Sequence, residues 1–261
     1  MKKVADIMTK EVVSVDKNSE LRHVMDLMIK HNITKLPVMD NDELVGIVTD
    51  NMIADELGSL KGRGIPAERL HASSVMSKKF HTVSPETLIE ELLKSVGEPG
   101  ITMIPVTYAN ELVGVVTKAD ILPFVKSNGK LSGIMARNLL AVSPDDRVVH
   151  ARRIMLDKDV ARLPVLDGGK LVGIIADKEI AFALADLKKA HPANHQSHRI
   201  KEMLVKDIMY TNVVTGTPDM TLADAARLMH ERGVGSLPLM EPDGRIVGMI
   251  TRTDLLKSIP I

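Results

Sequence analysis

The chain has 261 residues, 34 Lys plus Arg balanced by 34 Asp plus Glu, and only 2% aromatic side chains, which excludes a global basic field for nucleic acid and base-stacking platforms for single strands. It has no cysteine, which excludes disulfides and thiolate metal sites and fits a reducing compartment. A charge follows the N-terminus before any apolar run forms, and no stretch approaches the ~20 apolar residues of a membrane helix, so a cytoplasmic protein without membrane insertion is expected.

Read in order, the chain repeats itself four times. Each copy opens on a short leader ending in Met: Ile7-Met8, Val75-Met76, Ile134-Met135 and Ile208-Met209. A β-prone piece follows, Val12 to Val15 in the first copy and Phe80 to Val83 in the second. Ser84-Pro85, Ser143-Pro144 and Thr217-Pro218 then read as N-caps followed by Pro at the first helical position. An amphipathic helix comes next, with Leu21, Val24, Met25 and Met28 on one face in repeat one, and Leu222, Ala225, Ala226 and Met229 in repeat four. A second strand carries Leu36-Pro37-Val38, Ile104-Pro105-Val106, Leu163-Pro164-Val165 or Leu237-Pro238-Leu239, and its Pro predicts an edge or bulge position. A short turn implies a hairpin to a third strand, and a second helix closes the unit.

The reading is therefore α/β (α+β), four tandem β-α-β-β-α repeats over 1–57, 69–126, 131–187 and 202–261. Repeats this short bury too little surface alone, which predicts two pairs, one with two and three with four. Gly58 to Ser74 reads as a loop, and the polar stretch from His191 to His198 as a disordered or turn-forming link. Gly62-Arg63-Gly64 lacks the Lys-Ser/Thr of a phosphate loop, and His191, His195 and His198 have no Cys or obvious carboxylate to complete a metal site.

The third strand ends on a recurring signature. Repeat two writes it Leu112-Val113-Gly114-Val115-Val116-Thr117-Lys118-Ala119-Asp120, and repeat four Ile246-Val247-Gly248-Met249-Ile250-Thr251-Arg252-Thr253-Asp254. The Thr is placed as an N-cap with Asp at the third helical position, at a helix start whose amides and dipole attract phosphate. The same residues also make an ordinary capping box, and Thr221-Leu222-Ala223-Asp224 reads as one without a ligand role. No nucleophile with a matched base, paired acid and base, or metal cluster stands out.

The Met-ended leaders, the Leu-Pro-Val strands and the Gly-x-x-Thr-x-x-Asp endings resemble the CBS domain, in four copies, an arrangement similar to the γ subunit of AMP-activated protein kinase. The resemblance implies that two repeats associate as a Bateman module with clefts taking adenosyl ligands: AMP, ADP, ATP or S-adenosylmethionine. It implies that the Asp holds the ribose hydroxyls, that the Thr binds phosphate, and that a basic residue comes from the partner repeat, two before its strand Pro. Thr117 and Asp120 would then be served by Lys35, and Thr251 and Asp254 by Arg162. Thr82 and Thr215, in the short first strands of the same two repeats, accompany them; Ala141 stands at that place in repeat three, but Ser14 in repeat one breaks the pattern. Repeat one keeps Thr49 but has Met52 for Asp and Met103 for the base, while repeat three has Ala176, Glu179 and Ser236, so two full and two degraded sites are expected.

These residues imply a regulatory sensor, not an enzyme, that binds adenine nucleotides without metal or other cofactor and signals to an unidentified regulated enzyme or transporter. Its oligomeric state would be a monomeric disc or a homodimer. The alternatives are an S-adenosylmethionine-binding protein and a ligand-free interaction scaffold; an enzyme remnant of the IMP dehydrogenase type would lack its barrel.

Overall fold

The computed structural model describes residues 2–58, 70–96, 103–190 and 193–259. Repeat one contains β1 (Val15–Asp16), α1 (Leu21–Lys30), β2 (Lys35–Asp40), β3 (Glu43–Thr49) and α2 (Asp50–Gly58). Repeat two follows with α3 (Ala72–Val75), α4 (Ile89–Val96), β4 (Met103–Tyr108), β5 (Glu111–Thr117) and α5 (Lys118–Ile121). Repeat three has α6 (Val148–Asp157), β6 (Arg162–Asp167), β7 (Lys170–Ala176) and α7 (Asp177–Ala190), and α8 (Ala193–Glu202) comes after it. Repeat four has α9 (Val205–Ile208), α10 (Leu222–Glu231), β8 (Ser236–Met240), β9 (Ile246–Thr251) and α11 (Arg252–Lys257).

Each hairpin is antiparallel, and the first strand runs parallel beside it. In repeats two to four that first strand is reduced to single bridges, Val83 to Val106, Val142 to Val165 and Gly216 to Leu239. Three hairpins close through two-residue turns with both residues at positive φ: Asn41 and Asp42, Ala109 and Asn110, Gly168 and Gly169. That is the primed turn geometry matching the strand twist.

The Pro-bearing strand is not at an edge. In repeat one it is the middle strand, and in every repeat it lies between the first strand and the glycine strand. A register shift does follow one residue after the Pro, between Val38 and Met39 and at the equivalent places. The missing N–H is harmless for a local reason. Pro105 stands opposite Val115, whose N–H and C=O turn away to bond Thr9 at 3.0 and 2.9 Å. The carbonyl of Pro105 accepts from Val83 at 3.1 Å. All four repeats place Pro opposite the residue that pairs a leader.

Those leaders are exchanged. The leader of repeat one bridges β5 of repeat two through Thr9 and Val115, and the leader of repeat two bridges β3 of repeat one through Ser77 and Ile47. Repeats three and four do the same through Ala136 with Met249 and Tyr210 with Ile174.

The chain resolves into two compact units. One, here the even unit, comprises Met1–Val12, His81–Leu139 and Val214–Ile261; the other, the odd unit, comprises Val13–Phe80 and Leu140–Val213. The even unit thus holds the bodies of repeats two and four with the leaders of one and three. Its core includes Ile104, Val116, Ile121, Leu237, Ile250 and Leu255, with Val4 and Leu131 from the leaders. The odd unit joins repeats one and three around Leu36, Ile53, Leu57, Leu163, Ile180 and Leu184, with Val75 and Val205 from the leaders of two and four.

Two further expectations are corrected. The Ser-Pro and Thr-Pro pairs do not cap helices: Ser84, Ser143 and Thr217 begin turns, their carbonyls accepting from Thr87, Asp146 and Met220. The helices start five residues later, at Ile89, Val148 and Leu222. The polar stretch carrying His195 and His198 is helical in α8, with His198 Nδ1 3.4 Å from Glu202. His191 and Gly62-Arg63-Gly64 lie outside the described residues.

Candidate functional site

In the even unit both signatures end on complete capping boxes. Thr117 is the N-cap of α5, and its hydroxyl accepts from Ala119 N at 3.2 Å. Asp120 Oδ2 accepts from Thr117 N at 2.7 Å and from the Thr117 hydroxyl at 2.8 Å. Repeat four reproduces this: Asp254 Oδ2 accepts from Thr251 N at 2.8 Å and from its hydroxyl at 2.7 Å. Asp120 and Asp254 are each half-buried, and among the described residues neither Oδ1 takes a hydrogen bond from protein. Each signature therefore presents one carboxylate oxygen with its acceptor capacity unspent. The Thr hydroxyl proton is already committed to the Asp, so donation to a phosphate requires the hydroxyl to rotate away.

The odd unit has half of each box. Thr49 accepts from Met52 N at 3.2 Å, with no carboxylate at that position. Glu179 accepts from Ala176 N at 3.1 Å, with no hydroxyl there. Thr221 caps α10 by accepting from Asp224 N at 3.1 Å, and its hydroxyl donates to Asp224 Oδ2 at 2.7 Å; this is an N-cap and not the full capping box expected of it.

The residue after the signature Thr or Ala separates the two units by charge. In the even unit it is Lys118 or Arg252. Lys118 is buried at 6% exposure, and its ammonium donates to Thr253 Oγ1 at 2.8 Å. Arg252 donates from Nε to the Val234 carbonyl at 3.2 Å. His230 Nδ1 lies 3.1 Å from the Ala119 carbonyl, a second link from repeat four to α5.

In the odd unit the equivalent residues are Asp50 and Asp177. The Arg152 guanidinium joins Asp177, Asp55 and Asn51. Burial pushes Asp177 up to about 7, outweighing Arg152, with Asp50 and Asp55 adding repulsion. Burial also raises Asp50, opposed by Lys35 and Arg162, and raises Glu179. Burial lowers Arg162, while Asp50, Glu179 and Asp177 hold it up.

The structure therefore gathers the residues chosen from sequence into two groups. Thr117 with Asp120, and Thr251 with Asp254, are in contact inside the even unit. Lys35 and Arg162 belong to the odd unit, in the field of Asp50. Lys35 also donates to Thr34 Oγ1 at 2.9 Å. Thr82 and Thr215 are exposed, each one residue before the bridge of its first strand to the Pro strand. Sequence reasoning missed Lys118, Thr253, Arg152, Asp50 and Asp177. The available signal was the alternation of Asp, Lys, Asp and Arg at the position after the signature Thr or Ala. Among the described residues no cluster of His, Cys, Asp and Glu could hold a metal ion, and no helix is long and apolar enough to cross a membrane.

Comparison with known proteins bears on this geometry. The family model described as CBS domain matches residues 4–59, 72–127, 131–186 and 205–261. Protein MJ1225 of Methanocaldococcus jannaschii is 26% identical over 270 residues, covering 95% of each chain. Its crystal structure, described as that of a candidate archaeal homologue of g-AMPK, superposes with a TM-score of 0.85 over 98% of this chain and 99% of that one, at 24% identity. The inosine-5'-monophosphate dehydrogenase of Korarchaeum cryptofilum is 30% identical over 130 residues, which is 50% of this chain but 24% of that enzyme.

Proposed function

Because this chain belongs to the CBS-domain family, we propose that it is a regulatory protein binding an adenine nucleotide (AMP, ADP or ATP) at two places, the signatures of repeats two and four, and passing occupancy to a partner protein. One observation carries the reading: the complete Thr–Asp boxes fall on both repeats of the even unit and on neither repeat of the odd unit. A capping role alone requires no such division. In this reading the unspent Oδ1 of Asp120 and of Asp254 accepts the ribose hydroxyls, and Thr117 and Thr251 turn toward phosphate. Thr82 and Thr215 belong to the same unit and accompany these residues, while the charge expected from Lys35 and Arg162 is what their alanine variants test. The reciprocal exchange of leaders supports the pairing of repeat one with two and three with four. The half boxes at Thr49 and Glu179 hold no nucleotide in this reading.

A second reading keeps the adenosyl group and drops the phosphates, with S-adenosylmethionine as ligand. It is favoured by the Thr hydroxyls already bonded to Asp and by the carboxylates facing Arg162. Thermal melts against AMP, ADP, ATP and S-adenosylmethionine separate the two. A ligand present at a hundred times its Kd adds about 2.7 kcal/mol of stability. Nucleotide stabilisation weakened by Lys35→Ala and Arg162→Ala supports the first reading. Stabilisation by S-adenosylmethionine alone, indifferent to both variants, supports the second, and flat melts across the panel would leave a ligand-free scaffold.

A further inference from the structure

Lys118 and Thr253 belong to different repeats, yet each sits inside a signature. Lys118 lies between Thr117 and Asp120 in repeat two, and Thr253 between Thr251 and Asp254 in repeat four. The Lys118 ammonium crosses to the Thr253 hydroxyl at 2.8 Å, and the side chain that carries it is buried. α5 packs against α11, and His230 of α10 reaches the Ala119 carbonyl beside it. The equivalent position is acidic in the odd unit, where Asp50 and Asp177 stand in place of Lys118 and Arg252.

We infer that the two complete signatures are not independent: Lys118 is a shared cation that links them, so that an anionic ligand at one weakens the binding of an anionic ligand at the other. This rests on the proposed reading of those signatures as nucleotide sites. A phosphate next to Thr117 draws the ammonium toward repeat two and away from Thr253. The hydroxyl of Thr253 then loses its donor beside the carboxylate of Asp254, and the second phosphate meets a site with less positive charge. Whatever charge Arg252 brings to repeat four, the one Lys118 ammonium cannot serve two phosphates in full, and in a buried setting the loss at the second is weakly screened. Coupling energies between sites commonly amount to 5-fold or more in affinity, and the effect is reciprocal.

The test is calorimetric titration of the full chain with AMP, and with adenosine as a ligand lacking phosphate. Asp120→Ala and Asp254→Ala provide the single-site isotherms. If Lys118 couples the sites, the parent isotherm departs from the sum of the two, with the second AMP bound about 5-fold more weakly than its single-site variant predicts. Adenosine shows no departure. Thr253→Val keeps the shape of the side chain and removes the hydroxyl that holds the ammonium toward repeat four; in that background the departure from the sum of its own single-site variants shrinks. Lys118→Met removes the shared charge: each AMP binds more weakly than in the parent, and the isotherm becomes the sum of that background's own single-site variants. A parent isotherm equal to the sum overturns the coupling and leaves the proposed function standing. A departure of unchanged size in Lys118→Met, or one that appears equally with adenosine, also overturns it. Absence of AMP binding in the parent overturns the proposed function and the coupling together.

Discussion

Met8 of repeat one lies directly over the Cα of Gly114 in repeat two. A Cβ on that glycine would stand 2.8 Å from the Met8 sulfur and 3.1 Å from the Thr9 carbonyl oxygen. The relation holds four times: Met76 covers Gly46, Met209 covers Gly173 and Met135 covers Gly248, each sulfur 2.7 Å from the missing Cβ. The invariant glycine of the signature is therefore a seat for an exchanged leader. None of these four has a positive φ, so the requirement is space and not backbone freedom.

This predicts a specific coupling. Gly114→Ala forces the Met8 side chain and the Thr9 backbone to shift, a destabilisation of about 1–3 kcal/mol. In a Met8→Ala background the same substitution costs less, because the sulfur is gone and only the backbone contact remains. Urea denaturation of the four proteins measures the interaction energy, expected to be at least about 0.5 kcal/mol. Additive effects would mean that the leader does not bear on the glycine.

Ala109 occupies φ +49° in the hairpin turn of repeat two, where repeats one and three place Asn41 and Gly168. A Cβ in the left-handed region costs about 1 kcal/mol. Ala109→Gly removes it and is expected to stabilise the chain by about 0.5–1 kcal/mol, read as a raised urea midpoint with an unchanged slope. A lowered midpoint would contradict this.

The odd unit makes a pH prediction. The Asp177 side chain is 7% exposed, and its pKa is pushed up to about 7 by burial, although Arg152 opposes that shift. Between the ordinary carboxylate range and pH 7 the folded chain holds a proton that the unfolded chain has released. Stability from this group is thus fully present below the unfolded value and is lost as pH rises through about 7. Asp50 and Glu179 are raised by burial and act in the same direction. The melting temperature should fall by roughly several degrees from pH 5 to pH 8, and Asp177→Asn should remove much of that fall. A melting temperature that rises across this window in the parent would contradict the assignment.

The signatures were legible because their chemistry is local: Thr117 and Asp120 are three residues apart, and the capping box closes within one turn. The hairpins were legible for the same reason. The leader exchange was not, because a leader such as Ile7-Met8 is equally complementary to the glycine strand of its own repeat and to that of the next. Which one it meets is a tertiary outcome. The helix starts were misread because Pro fits both the first position of a helix and the second position of a turn with the same φ. For Pro105 the bulge was legible and the edge was not the outcome, because nothing local says that the β-prone piece ending at Val83 lies beside the Pro strand on the side away from the glycine strand. Lys118 and Thr253 lie 135 residues apart, and no local pattern connects them.

The central claim is that Asp120 and Asp254 each hold one nucleotide. Calorimetric titration of AMP into the parent, Asp120→Ala and Asp254→Ala tests it most directly. The account predicts two binding events in the parent and one in each variant, with melting temperatures high enough to show that both variants are folded. Two events in both variants, or none in the parent, would contradict it.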